Sequence, residues 1–253
     1  MNRKQRLISV SQLVAVLLCS AAIKTYYSTA SVNELLWILA PTKVLVSLAT
    51  GVGFTFESYS GYMSSDHSFI IAAACSGVNF LIAAFLMLTI GKLLRGGELR
   101  WRFIPFSLLA AYATTIVANT FRISTALFIR RADPQIIWLN PEELHRFEGI
   151  VIYFGFLLLL YVVSEKVGEE AKRPVGILRT FWFPLAIYYA TAIGVPLANG
   201  AFKRGTAAPG FWQHLVFVFL TPIFLLLILA TISFLKRLAS QLWHIKVTFP
   251  AEV

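Results

Sequence analysis

Apolar residues in this chain gather into long runs broken by short polar connections. Six runs, Leu7 to Ile23, Phe69 to Ile90, Phe103 to Thr120, Phe147 to Val163, Phe181 to Asn199 and Phe211 to Leu235, come close to the about 20 residues that a helix needs to cross a bilayer. A seventh segment, 35–54, is broken by Pro41 and Lys43 into about a dozen usable apolar residues, too few for a span. It is expected to be an interfacial helix or a re-entrant piece. Thr55 to Ser68 is polar and rich in Ser, Gly and Tyr, which suits a hairpin or loop. The connection from Ile123 to Arg146 starts amphipathic and passes Asp133-Pro134. It ends in Asn140-Pro141-Glu142-Glu143, the cap, proline and acids of a helix start, with His145 about one turn further on.

Composition agrees with the runs. Of 253 residues 58% are hydrophobic and 13% charged, and mean hydropathy is +0.73, which excludes an ordinary soluble domain. The expected fold class is an all-α polytopic transmembrane bundle, residues 1–253 forming one domain of about six spans with one or two interfacial helices on the outer side. The net charge of +10 points to no nucleic-acid partner, because the cations flank apolar runs and form no basic stripe. The partner they imply is the lipid bilayer. Fourteen of the 22 Lys and Arg fall on the side shared by the N-terminus, Lys92 to Arg102, Glu165 to Arg179 and the tail, which makes that side cytoplasmic. Ser20-Ala-Ala22 would pass as a signal-peptide cleavage site, yet the polytopic chain favours an uncleaved anchor. The two cysteines, Cys19 and Cys75, have no spacing suited to a metal, and no cofactor is implied.

Three reactive side chains share the opposite, outer face. Cys75 lies six residues into its run, which as helix would put it roughly 10 Å below the interface. Arg122 follows the run ending at Thr120, and His145 precedes the run starting at Phe147. Together these types suit acyl transfer: a thiolate attacks, histidine takes and returns the proton, and arginine stabilises the oxyanion or positions the substrate. Asn119 falls on the same helix face as Arg122. Small neighbours, Ala72 to Ala74, Ser76 and Gly77, would let a substrate backbone approach. Glu148 is placed to orient His145, and His67 beside Asp66 is the rival base. Blander roles compete: a membrane cysteine is usually a small hydrophobe, and cations at helix ends usually snorkel to the interface.

Ala74-Cys75-Ser76-Gly77-Val78-Asn79-Phe80-Leu81, Asn119-Thr120-Phe121-Arg122-Ile123 and Leu144-His145-Arg146-Phe147-Glu148-Gly149 closely resemble the three motifs of the exosortase/archaeosortase family of membrane sorting enzymes. The resemblance covers Ser58 to Tyr161. The chain looks like a compact bacterial exosortase, with the K subtype as the candidate. Asn79 departs from the arginine that many relatives carry after Cys-Ser-Gly. The resemblance implies Cys75 as nucleophile, Arg122 as positioning or oxyanion residue and His145 as acid/base, at the extracytoplasmic face of a cell inner membrane. It implies substrate proteins that end in a Pro-Glu-Pro-like signal, one transmembrane helix and a basic cluster. Arg130, Arg131, Arg146, Lys203 and Arg204 are then candidates to attract the acidic motif residue. The alternatives are a small transporter and a non-catalytic component of export or exopolysaccharide assembly; neither repeat symmetry nor a HExxH or GxSxG pattern is present to suggest other chemistry.

Overall fold

The computed structural model describes residues 3–94, 100–132, 141–167, 177–194 and 211–248. In chain order these form α1 (Arg3–Thr29), α2 (Leu36–Thr50), β1 (Phe54–Glu57), β2 (Gly61–Ser64), β3 (Ile70–Ile71), a 3₁₀ turn (Ala73–Ser76), α3 (Val78–Leu94), α4 (Phe103–Ala132), α5 (Pro141–Val167), α6 (Ile177–Tyr189) running into a π turn (Ala190–Gly194), and α7 (Phe211–Thr248). The protein is an all-α polytopic transmembrane bundle with one small sheet. Among the described residues five helical segments are long and apolar enough to cross a membrane: Ile8–Thr29, Ala73–Leu94, Phe103–Ala132, Glu143–Lys166 and Leu215–Lys236. The expected sixth, Phe181 to Asn199, corresponds to α6 and its π turn, and its last five residues lie outside the described residues.

α3 organises the bundle. It is apolar all round, with Phe80, Leu81, Phe85, Met87 and six further residues buried besides Val78, and it touches α1, α4, α5 and α6. A helix without a polar face belongs at the centre of a bundle. One side of α3 packs with Phe154, Leu157 and Tyr161 of α5 and with Leu185 and Tyr188 of α6. The other packs with Leu39 and Val46 of α2, Ile71 of β3, and Ile116 and Ile123 of α4. Large apolar side chains such as Leu18, Phe106, Phe224 and Leu227 stay uncovered, as lipid-facing residues of α1, α4 and α7.

Three sequence expectations change. Pro41 does not interrupt segment 35–54, because α2 runs unbroken through it for 15 residues. A helical proline removes the hydrogen bond to the carbonyl four residues earlier, here that of Trp37. The Tyr112 hydroxyl of α4 donates to that carbonyl at 2.6 Å, and the two rings stack with centroids 5.7 Å apart. Fifteen residues at 1.5 Å each give roughly 22 Å, shorter than a hydrocarbon core of about 30 Å. The run from Phe69 to Ile90 is not one helix either. Its first residues pair as β3 with β2, then form the 3₁₀ turn, and helix begins only at Val78. Short apolar stretches do not separate strand from helix by hydropathy. Lastly, Arg122 is not at a helix end: α4 continues to Ala132, because Ile123, Ala126 and Leu127 recur at helical spacing on the buried side.

The expected hairpin is present. β1 and β2 pair antiparallel from Phe54 with Ser64 to Glu57 with Gly61. Gly61, at φ 117°, lies so close to β3 that an added Cβ would sit 2.3 Å from the Ile71 carbonyl oxygen. In the turn after β2 the Asp66 carboxylate accepts from the Ser64 hydroxyl at 2.6 Å and the Ser68 amide at 3.1 Å. Those bonds hold its pKa down at about 2.

Candidate active site

The site is assembled from the 3₁₀ turn, the C-terminal half of α4 and the N-terminal half of α5. Asn119 and Arg122 stand one turn apart on α4, and His145, Glu148, Gly149 and Tyr153 lie along α5. The Asn119 amide donates to the backbone carbonyl of Cys75, and its own oxygen accepts from the Tyr153 hydroxyl at 2.9 Å. Arg122 reaches the same hydroxyl through Nη1 at 3.3 Å, with its guanidinium carbon 5.4 Å from the Tyr153 ring centre. Its Nη2 lies 3.2 Å from His145 Nε2, and His145 Nδ1 lies 3.3 Å from a Glu148 carboxylate oxygen. A continuous series of polar contacts therefore runs from the Cys75 carbonyl to Glu148.

The donor inventory fixes the proton on His145. Guanidinium only donates, so Nε2 must accept and the ring hydrogen sits on Nδ1, facing Glu148. Glu148 is 6% exposed, and its contact with His145 falls short of hydrogen-bond geometry, as neither of its oxygens has a hydrogen-bond partner. The pair is thus electrostatic and close without being a directed bond. Arg122 Nε is likewise buried and unbonded.

Two glycines make room for the arrangement. Gly77 ends the 3₁₀ turn at φ 71°, and its amide plane starts α3, the Leu81 N–H donating to the Gly77 carbonyl at 3.0 Å. A Cβ there would meet Thr115 at 3.2 Å, the Tyr153 hydroxyl at 3.3 Å and Asn119 at 3.5 Å. Gly77 is therefore small because its own neighbours crowd it, and not only to admit a substrate backbone. Gly149 faces Arg122, whose Nε would be 3.1 Å from an added Cβ. Any larger residue at 149 would displace the guanidinium.

A cavity of about 390 Å³ opens beside this network, lined by Arg122, His145, Arg146, Tyr153, Lys24 and Asn79 among others. Ala74 and Gly77 reach its wall, whereas Cys75 itself is half-buried and packs with the α2 side of the core. Cys75 is nevertheless tied to Arg122 through its carbonyl, which Asn119 links to the Tyr153 hydroxyl that Arg122 also reaches. Ser76 is fully buried with an unbonded hydroxyl, so it supports packing under the turn. His67 is exposed on the hairpin turn in a left-handed conformation, φ 53°, and makes no contact with the network. The Asn140 cap and the cations Lys203 and Arg204 lie outside the described residues.

Tyr153 is the residue that reading the sequence missed. It joins Asn119 to Arg122, and its ring stacks on Phe80 of α3 with centroids 5.1 Å apart. A signal was available, since Tyr153 stands one turn beyond Gly149 and two beyond His145 and so shares their helix face.

The fold and this cluster define a multi-pass membrane protein in which Asn119, Arg122, His145, Glu148 and Tyr153 gather between two helices of a bundle. Residues 4–162 match the family model of the transmembrane exosortases, and the chain belongs to that family. The match identifies the family and no subtype. No curated protein and no solved structure matches the chain.

Proposed function

We propose that the protein is a membrane-embedded cysteine peptidase of transpeptidase type, which cleaves a C-terminal Pro-Glu-Pro-like sorting signal next to the transmembrane helix of its substrate. One observation carries this reading: the unbroken contacts that link the Cys75 backbone through Asn119, Tyr153 and Arg122 to His145 and Glu148. Such an arrangement holds a nucleophile-bearing turn, a cation and a neutral imidazole in one frame, and the family membership favours thiol chemistry over transport.

In this mechanism the substrate motif enters the cavity from the extracytoplasmic side, the side that the distribution of cationic loops favours. Nε2 of His145 is the unprotonated ring position of the tautomer described above, and in the resting site it faces Arg122. It must turn from Arg122 to take the thiol proton of Cys75. The thiolate then attacks the scissile carbonyl, and negative charge moves to the carbonyl oxygen. Arg122 and the positive end of α3, which starts two residues after Ser76, oppose that charge. Protonated His145, steadied by Glu148, gives its proton to the leaving amine, the C–N bond breaks and a thioester on Cys75 is left. Water or an amine then takes the acyl group. No metal or cofactor enters any step.

The test is processing of a co-expressed substrate that carries the signal, helix and basic cluster. Cys75→Ala and Cys75→Ser are expected to abolish processing while the protein stays in the membrane, and His145→Ala to lower it by at least about 100-fold. Continued cleavage by Cys75→Ala overturns the reading. Loss with His67→Ala and retention with His145→Ala would move the base to the hairpin.

A further inference from the structure

Lys24 reaches the cavity from α1, a helix that supplies nothing to the network of α4 and α5. Its Nζ donates to the Asn79 side-chain oxygen at 2.8 Å, across 55 residues of sequence, and lies 5.3 Å from the Tyr27 ring centre. Both partners are uncharged. Among the described residues the cavity lining includes Lys24, Arg122, Arg146 and His145 and no aspartate or glutamate. Lys24 stands little more than one turn before the end of α1, from where its ammonium could snorkel to the interface, yet it is turned to Asn79 in the cavity wall. Arg122 differs, because it is occupied by Tyr153 and His145.

Building on the proposed peptidase reading, we infer that Lys24 is a specificity-determining residue, which binds the carboxylate of the acidic side chain in the substrate peptide beside the scissile bond. In the free protein Asn79 holds the ammonium in the cavity wall. On binding, the substrate carboxylate takes the place of the Asn79 amide oxygen, and a charge-assisted bond replaces a neutral one. The four-carbon stem of lysine supplies the reach for that exchange. A volume of about 390 Å³ suits a short extended motif and excludes a folded recognition domain. Asn79 also explains how the first turn of α3 contributes: it orients the cation of α1 and adds no charge of its own.

The experiment uses the full chain in nanodiscs and three labelled tail peptides with Pro-Glu-Pro, Pro-Gln-Pro or Pro-Lys-Pro ahead of the transmembrane helix and basic cluster. Binding is measured on Cys75→Ala protein, so that turnover plays no part, and cleavage on protein with Cys75 intact. Cys75→Ala is expected to bind the Glu tail about tenfold more tightly than the Gln tail. Adding Lys24→Met should reduce that ratio to below about twofold, Lys24→Arg should keep it, and Lys24→Glu should favour the Lys tail. Persisting binding of the Gln tail shows that the variants are folded. A Glu preference that survives Lys24→Met, or an equal loss for all three tails, overturns the assignment. Lys24-dependent selectivity without cleavage by the wild-type protein would sink the peptidase reading alone, and cleavage with Lys24-independent selectivity would sink this inference alone. Absence of any tail binding would sink both.

Discussion

Two tyrosines on neighbouring helices use their hydroxyls in different ways. Tyr112 of α4 donates once, to the Trp37 carbonyl that Pro41 leaves unpaired, and there the connection ends. Tyr153 of α5 donates to Asn119 and accepts from Arg122, so its hydroxyl is a junction between side chains that lead toward the cavity. The first repairs a helix on the outside of an apolar bundle, where lipid cannot pair with a free carbonyl. The second sets the relative position of groups proposed to react. A tyrosine hydroxyl can thus serve stability or chemistry, and its partners tell which: a backbone acceptor in one seam, a side-chain network in the other.

The sharpest way to break that contrast is Tyr153→Phe. It keeps the ring on Phe80 and removes only the junction, so we expect processing to fall by about 100-fold with a thermal midpoint near that of the wild type. The fall should lie mainly in kcat, because a positioning residue acts through Asn119 and Arg122. A kcat close to wild type would reduce Tyr153 to a packing residue. Next in size is Gly77→Ala, which sets a Cβ against Tyr153, Asn119 and Thr115 at a φ of 71°. The left-handed conformation alone costs about 1–2 kcal/mol, so both stability in detergent and processing should drop. Full stability in that variant would show that the turn before α3 can relax without disturbing the seam.

Tyr112→Phe is the counterpart on the repair side. It orphans the Trp37 carbonyl, for which we expect a loss of about 1–3 kcal/mol in detergent unfolding and retained processing by the folded fraction. A specific loss of processing at unchanged stability would erase the distinction between the two tyrosines. The smallest effect belongs to the hairpin. Asp66 has its pKa lowered to about 2 by the Ser64 and Ser68 bonds. A group depressed when folded contributes stability above its unfolded value near 3.8, and that contribution fades as pH falls through about 2. Asp66→Asn should therefore lower the protection of the hairpin slightly at neutral pH and remove part of the further loss that the wild type shows between about pH 4 and pH 2. Amide exchange on β1 and β2 reads this out, and an identical acid profile in the variant would count against the turn bonds.

The candidate site was largely legible as residue types. Cysteine, arginine and histidine at the edges of apolar runs stand out because such groups are scarce there, and helical spacing already grouped Asn119 with Arg122 and His145 with Glu148. Their local settings were less legible. Cys75 was expected inside a helix, but strand pairing by Ile70 and Ile71 and the left-handed Gly77 put it in a turn just before α3. Arg122 was expected at a helix end, but α4 runs on through it. Hydropathy reports only that a stretch is apolar, and β3, the 3₁₀ turn and the first turn of α3 are all apolar.

The amino-acid sequence by itself determined that the chain lies in a membrane as a helical bundle, and it supplied a thiol, guanidinium groups and imidazoles near the same end. Long apolar runs partition from water into lipid, and because lipid can satisfy none of their backbone groups they cross it as helices. Tertiary structure alone decided that Asn119 meets a carbonyl 44 residues away, that Tyr112 closes the gap left by Pro41, and that Lys24 of the first helix shares a cavity with Arg122. Those contacts join different helices, so they follow no period along the chain, and they form only where α3 brings its neighbours together.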